Sequence, residues 1–296
     1  MDVIIIGGGV SGLSAAMYLG RFRRQVLVVD GGKPANRFTH ASHSFFTRDG
    51  IAPGELLAIG REQLAKYDTV ELKNGEVTSI VEDAGRFTVT LADGSQYQTG
   101  KVLLATGLKD GLPAIAGIEP LWGKSVFSCP FCDGWEHRDQ PVVIVANAEA
   151  AFHVAKLLRV LTADLVICTN EPAEFDAEQA AKLKEHGIRV IETPIARFDA
   201  EGEQLTQIVF KDGSVLPRTT AFIRTWLMQP NSLAELLGCE TDEHDMITID
   251  SGGRTSVKGV YAAGDLTGQA RQVVNATHQG AWAGIAINND LIAEQW

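Results

Sequence analysis

Val3-Ile4-Ile5-Ile6-Gly7-Gly8-Gly9-Val10-Ser11-Gly12 is the stretch that decides the fold of this chain. Four apolar residues read as a buried strand, the glycines turn sharply, and Leu13 to Leu19 continues with helical spacing. In such a unit Gly7 permits the tight turn, Gly9 lets the backbone approach a pyrophosphate, and Gly12 lets helix and strand pack closely. The helix start, with Ser11, leaves N–H groups aimed at phosphates. A second strand, Gln25 to Val29, ends in Asp30, about 20 residues beyond the loop, where an acid can hold an adenosine ribose hydroxyl. The pattern predicts a dinucleotide site.

A second signal is Cys129-Pro130-Phe131-Cys132, followed at once by Asp133. Two thiols at this spacing can close a readily reduced disulfide beside an acid able to move their protons. Asp133 also reads as a helix cap, a role compatible with proton transfer. The same spacing could be half of a zinc site, which needs a second ligand pair. Cys168 and Cys239 stand alone and no finger-spaced histidine pair follows, so no metal is expected.

At 296 residues, with 45% hydrophobic and 21% charged residues, the chain has the composition of a soluble globular protein with room for two cores. No basic leader and no long apolar run is present, so a cytoplasmic protein without a membrane span is expected. A net charge of −11 argues against nucleic-acid binding. Helical spacing covers Ala150 to Leu161, and Ala177 to His186 before Gly187, with a strand over Ile188 to Ile191. Alternation over Arg86 to Leu91 before Asp93-Gly94, and over Gln207 to Phe210 before Asp212-Gly213, predicts two hairpins in a duplicated architecture.

Near the carboxy terminus, Val257 to Ala263 reads as a strand stopping in Gly264-Asp265, which can offer an acid and amides to a ribityl or phosphate group. Together with Leu103-Leu104-Ala105-Thr106-Gly107 and the cysteine pair, the whole chain resembles the low-molecular-weight thioredoxin reductase group of flavoprotein disulfide reductases. The resemblance implies FAD and an α/β fold of two Rossmann-like, three-layer domains, the second inserted into the first. Residues 1–112 plus 241–296 would form the FAD domain and 113–240 the redox domain. Lys109 to Pro113 and Met228 to Ser232 read as the crossings. It also implies that Cys132 meets the flavin, that Cys129 exchanges with a partner disulfide, and that Asp133 is the acid/base. FAD contacts are implied at Asn36, Arg37, Val77, Ala105, Thr106, Gly107, Gly264, Asp265, Arg271, Gln272 and Val273, besides the amino-terminal loop. A homodimer is implied as well.

One region departs from the family pattern. After the strand Val142 to Val145, where a pyridine-nucleotide loop belongs, stands Ala146-Asn147-Ala148-Glu149-Ala150-Ala151. Cβ atoms at 146 and 148 are expected to obstruct both the turn and the pyrophosphate, and Glu149 adds negative charge. Beyond Leu165 to Cys168, where NADPH-dependent members carry a His-Arg-Arg cluster, this chain has Thr169-Asn170-Glu171-Pro172. NADPH is therefore doubtful. The leading expectation is an FAD-dependent dithiol/disulfide oxidoreductase independent of pyridine nucleotide, acting on a thioredoxin-like protein or a small-molecule dithiol or disulfide, with ferredoxin as a donor to consider. The alternatives are an NADPH-dependent thioredoxin reductase with atypical coenzyme binding, a small-molecule dithiol oxidase using dioxygen, and a flavin-based redox sensor.

The stretch from Asn36 to Gly50, with Cys-Pro-Phe-Cys-Asp-Gly-Trp-Glu at 129 to 136, resembles the dithiol oxidases and bacterial reductase-like proteins beside them, and His40 and His43, three apart, are candidates to lie on one face and deprotonate a substrate thiol beside the flavin. His278 is a third such candidate. Trp135 and Trp296 read as covers for apolar surface, in a core or a dimer, or over the flavin.

Overall fold

Val3–Ile6 is buried throughout because parallel neighbours flank it on both sides, Val26–Asp30 on one and Lys101–Leu104 on the other. Val260–Ala262 and Val70–Asn74 complete a five-stranded parallel sheet, in the spatial order Val260, Lys101, Val3, Val26, Val70. Alternate residues of these strands serve opposite faces. Val3, Ile5, Val26, Val28 and Leu103 pack against the helices Val10–Arg21, Pro53–Leu64 and Val273–Gln295. Ile4, Ile6, Leu27, Val29 and Val102 pack against a three-stranded antiparallel sheet of Val77–Asp83, Arg86–Leu91 and Gln96–Thr99. The first hairpin expected from alternation is part of that sheet, turning at Gly94 with φ +83°.

The computed structural model describes residues 1–296, and the same plan recurs in it. Val142–Val145 lies between Leu165–Cys168 and Thr220–Ile223 in a second parallel sheet, with Arg189–Ile191 and Val126–Phe127 at its edges. Val142, Ile144, Leu165 and Ile167 meet the helices Ala148–Leu158 and Ala177–Glu185, while Val143, Val145 and Val166 meet the antiparallel sheet Ile195–Glu201, Gln204–Phe210, Val215–Pro217. The second hairpin turns at Gly213. The helix ending before Gly187 starts from a capping box in which Asp176 accepts from Gln179 N–H and Gln179 reaches back to Asp176 N–H.

The chain divides into one unit of residues 1–37, 45–109 and 227–296, and another of 38–44 and 110–226. The inserted arrangement is therefore present, with the outgoing crossing after Lys109 rather than 112 and two larger shifts from the expected limits. The return falls before Leu227 rather than at 241, because Leu233, Ala234 and Cys239 bury themselves in the first unit's core. Residues 38–44 belong with the second unit, where Gly123 leaves room for Phe38: a Cβ there would stand 2.9 Å from that of Phe38. The carboxy-terminal strand is also shorter than Val257 to Ala263, since Gly259 and Gly264 take positive φ on either side of it. No helix is long and apolar enough to cross a membrane.

Candidate active site

Cys129 is extended at the start of the short helix Pro130–Asp133, and its carbonyl accepts from the N–H groups of Cys132 and Asp133. Proline in the first turn suits this start, having no N–H to leave unpaired. The turn brings the two cysteine Cα atoms to 5.3 Å, and they are joined as a disulfide. Gly134 closes the helix where a side chain would strike the Pro130 carbonyl at 2.4 Å. Cys168 and Cys239 are buried thiols elsewhere; burial pushes Cys168 up to about 12, which leaves it inert.

Asp133 has the electrostatics of an acid/base. Burial is the main cause raising its carboxyl to about 7; His43 opposes the rise and Glu136 adds to it. At neutral pH such a group is shared between its two protonation states, the condition under which it both takes and gives a proton. His137, also nearby, is lowered by burial, shares a 2.9 Å hydrogen bond with the Thr220 hydroxyl, and packs on Phe127. It is a structural histidine.

Residues 38–44 explain why His43 reaches this carboxyl. The Ser44 hydroxyl donates to the Phe131 carbonyl at 3.4 Å, and His43 Nδ1 stands 3.4 Å from Glu136 Oε1. His40 does not share that place. It is exposed, 3.2 Å from Glu203, which also binds Lys124. The two histidines, expected as a pair on one face, therefore part company because no helix forms over them. His278 stacks edge-on against Trp282 in the terminal helix. Trp135 and Phe131, at 63% and 69% exposure, are surface residues rather than core, and the Arg138 guanidinium lies over the Trp135 ring. Trp296 is fully exposed.

The first unit gathers the expected dinucleotide residues. Gly7 has φ +111°, and a Cβ on it would stand 2.2 Å from the Ala105 carbonyl; a Cβ on Gly12 would stand 1.9 Å from the Gly7 carbonyl. Gly9 differs: a Cβ there would meet nothing within 4 Å. No side chain caps the helix Val10–Arg21, and no acid lies in its first turn, so its amides suit a phosphate. This bare, open loop fits the pyrophosphate of FAD. Asp30 receives Arg61 at 2.6 Å and the Gly32 N–H at 3.1 Å, leaving lone pairs for a ribose hydroxyl.

Of the remaining expected positions, Ala105 and Gly264 lie against that loop. Thr106 follows Ala105 at the end of Lys101–Leu104, and Gly107 turns the chain with φ +66°. A Cβ on Gly264 would stand 2.7 Å from Ser11 Oγ, so these two loops are neighbours. Asp265 accepts from Arg271 at 3.2 Å, and Gln272 and Val273 begin the terminal helix. Asn36 and Arg37 sit on the turn Ala35–Phe38. Val77 is a correction of detail: its side chain is in the core, so only its main chain can meet an adenine.

The second glycine-type loop is closed by its own side chains. Ala148 adopts φ +51°, so the turn forms without glycine, contrary to the expectation that a Cβ would prevent it. Asn147 accepts from Ala148 N–H at 2.8 Å and Glu174 N–H at 3.0 Å, and donates to the Pro172 carbonyl at 2.9 Å and to Glu171 at 3.4 Å. This single amide ties the loop after Val142–Val145 to the loop after Leu165–Cys168. Glu149 accepts from Gln179 at 2.6 Å. The roles of Arg61, Glu136 and Asn147 are found only in three dimensions, with the partners Asp30, His43 and residues 171 to 174 distant in sequence and no local pattern to mark them.

Comparison with known proteins agrees with this geometry. The pyridine nucleotide-disulphide oxidoreductase family pattern matches residues 1–280. The chain is 30% identical to the thioredoxin reductase tcpT of Claviceps purpurea, over 99% of this chain and 95% of that one. Among solved structures, TrxB of Bacillus anthracis superposes with a TM-score of 0.95 at 38% identity, covering 100% of both chains. An oxidoreductase of Agrobacterium tumefaciens gives 0.93 at 36%, covering 98% of both. A disulfide on a helix start, an acid beside it and a dinucleotide loop in a duplicated fold, together with full-length similarity to these relatives, show that the chain belongs to the thioredoxin reductase-like branch of the pyridine nucleotide-disulphide oxidoreductase family, an oxidoreductase family whose members imply FAD.

Proposed function

We propose that this protein is an FAD-dependent dithiol/disulfide oxidoreductase that works without a pyridine nucleotide. The observation that carries the independence is the Asn147 knot. Its four hydrogen bonds join residues 148, 171, 172 and 174 across the mouth where a coenzyme would lie. The acids Glu149 and Glu171 flank it, and Thr169 to Pro172 includes no basic residue. Phosphate groups would have to break the knot and then face carboxylates.

The chemistry then belongs to the cysteine pair. A partner thiolate attacks Cys129 Sγ, the Cys129–Cys132 bond breaks, and Cys132 leaves as a thiolate whose proton balance Asp133 governs. The partner's second thiolate attacks its own sulfur in the mixed disulfide, releasing Cys129. Two electrons have passed from partner to protein, and the partner is left as a disulfide. Run backwards, the same steps reduce a partner disulfide. Bound FAD supplies the two-electron exchange that resets the pair. The exposed Phe131 and Trp135 beside Cys129 and Cys132 suit a thioredoxin-like protein or a small-molecule dithiol or disulfide as partner.

The test is anaerobic mixing of the FAD-loaded protein with excess NADPH, then NADH, followed through the flavin absorbance. Persistent colour with both, bleached on adding a dithiol, supports the proposal. Rapid bleaching by NADPH would refute the independence and leave a thioredoxin reductase of unusual coenzyme loop.

A further inference from the structure

Gln279 lies in the second turn of the terminal helix Val273–Gln295 and is only 7% exposed. Its Oε1 accepts from the Gly264 N–H at 2.7 Å and from the Thr267 hydroxyl at 3.1 Å. The Gly264 N–H is a donor, so the amide has one admissible orientation, oxygen toward Gly264. The Nε2 group on the other side is buried and has no hydrogen-bond partner. A buried donor left unpaired is costly, and native interiors rarely tolerate one without a reason.

The surroundings supply a reason. Gln279 sits where three pieces of the first unit converge: the turn Gly264 to Thr267, the helix start at Ser11, and the terminal helix itself. A Cβ on Gly264 would stand 2.7 Å from Ser11 Oγ, and a Cβ on the adjacent Gly280 would stand 2.0 Å from the Ser11 carbonyl. The Ser11 turn is the uncapped, open phosphate loop described above, and Gly264-Asp265 is the turn that offers an acid to a ribityl chain. The donor is thus buried between the two stretches that would hold the middle of the cofactor.

We propose that Gln279 is an FAD-binding residue, its Nε2 donating to an oxygen of the ribityl-pyrophosphate stretch while its Oε1 holds the Gly264 turn in place. The inference rests on the family's use of FAD and assigns a contact absent from the motif residues. Occupancy of the site completes the amide's hydrogen bonding, so cofactor and turn order one another.

The test uses apoprotein of the wild type, Gln279→Glu and Gln279→Met, titrated with FAD by flavin fluorescence, with thermal unfolding of each apoprotein recorded alongside. Gln279→Glu keeps an acceptor for Gly264 and Thr267 and replaces the amide donor; Gln279→Met removes both functions at similar volume. The expected result is a dissociation constant raised at least ~10-fold in both variants at pH 8.5, where a glutamate is least able to donate, in apoproteins that still unfold cooperatively. A cooperatively folded variant that binds FAD as tightly as wild type would overturn the role of Gln279. Failure of the wild-type apoprotein to take up FAD would instead overturn the cofactor reading, and the proposal with it.

Discussion

Replacing Asp133 with asparagine tests the acid/base assignment through folding as well as turnover. Burial lifts this carboxyl from 3.8 to about 7, which disfavours its charged form by ~4 kcal/mol. Below the lower value the acid is neutral in both the folded and the unfolded chain, and stability is unaffected. Between the two values the unfolded chain ionises and the folded one does not, so stability falls as pH rises; above about pH 7 the full loss persists. Asparagine keeps the shape and never ionises. The variant should therefore match wild type near pH 4 and exceed it by up to ~4 kcal/mol near pH 8. In thermal unfolding at fixed FAD concentration, each kcal/mol should appear as roughly 2–4 °C, so the gap between the two proteins should widen steadily across that window. In a stopped-flow assay, disulfide reduction by a dithiol should slow by roughly 10²–10⁴-fold in the variant and lose its inflection near pH 7. A stability gap that does not change with pH, or unaltered kinetics, would refute the reasoning.

Cys132→Ser should leave FAD bound and abolish flavin bleaching by dithiol; undiminished bleaching would remove Cys132 from the exchange. Asn147→Ala should lower stability by roughly 1–2 kcal/mol through loss of the helix cap, while calorimetry still finds no strong NADPH binding, because Glu149 and Glu171 remain. Glycine at both 146 and 148 should relieve the strained turn without admitting NADPH either, and a large binding heat would show that the backbone, not the missing basic cluster, is the barrier. Gly12→Ala, whose methyl would fall 1.9 Å from the Gly7 carbonyl, should yield protein that retains little FAD on gel filtration. Multi-angle light scattering checks the homodimer that we propose from resemblance, and cell fractionation checks the cytoplasmic setting that we propose from the sequence.

Much of this was legible because the decisive signals are local. Val3 to Gly12 announces strand, turn and helix within ten residues, and Cys129 to Asp133 carries its chemistry within five. Both hairpins were marked by Asp-Gly turns. What escaped was non-local or geometric. The limit at 241, set by resemblance, carries no local signal, and only the burial of Leu233 and Cys239 in the first unit's core moves it back. The placing of 38–44 depends on Gly123 making room for Phe38. Ala148 shows the limit of a rule about residue types, since an alanine can hold a left-handed turn at a cost of roughly 1–2 kcal/mol when its surroundings secure it. Gln279 has no signature at all, because an unpaired donor is defined by what surrounds it.

The contact between the two ends of the first unit bears on how the protein is made. Gly280 and Gly284 of the terminal helix press against Ser11 and Ala15 of the first helix so closely that their missing side chains are a condition of the contact. Val260–Ala262 supplies an edge of the same sheet that begins at Val3. Every residue of the second unit precedes Leu227, yet the first unit's sheet gains its Val260 edge and its terminal helix only from residues some 250 positions beyond the first strand. Part of the apolar face that Val3 and Ile5 share with Leu103 therefore stays uncovered until the helix Val273–Gln295 docks, an aggregation hazard during folding, so growth temperature and chaperone supply should affect the yield of folded protein.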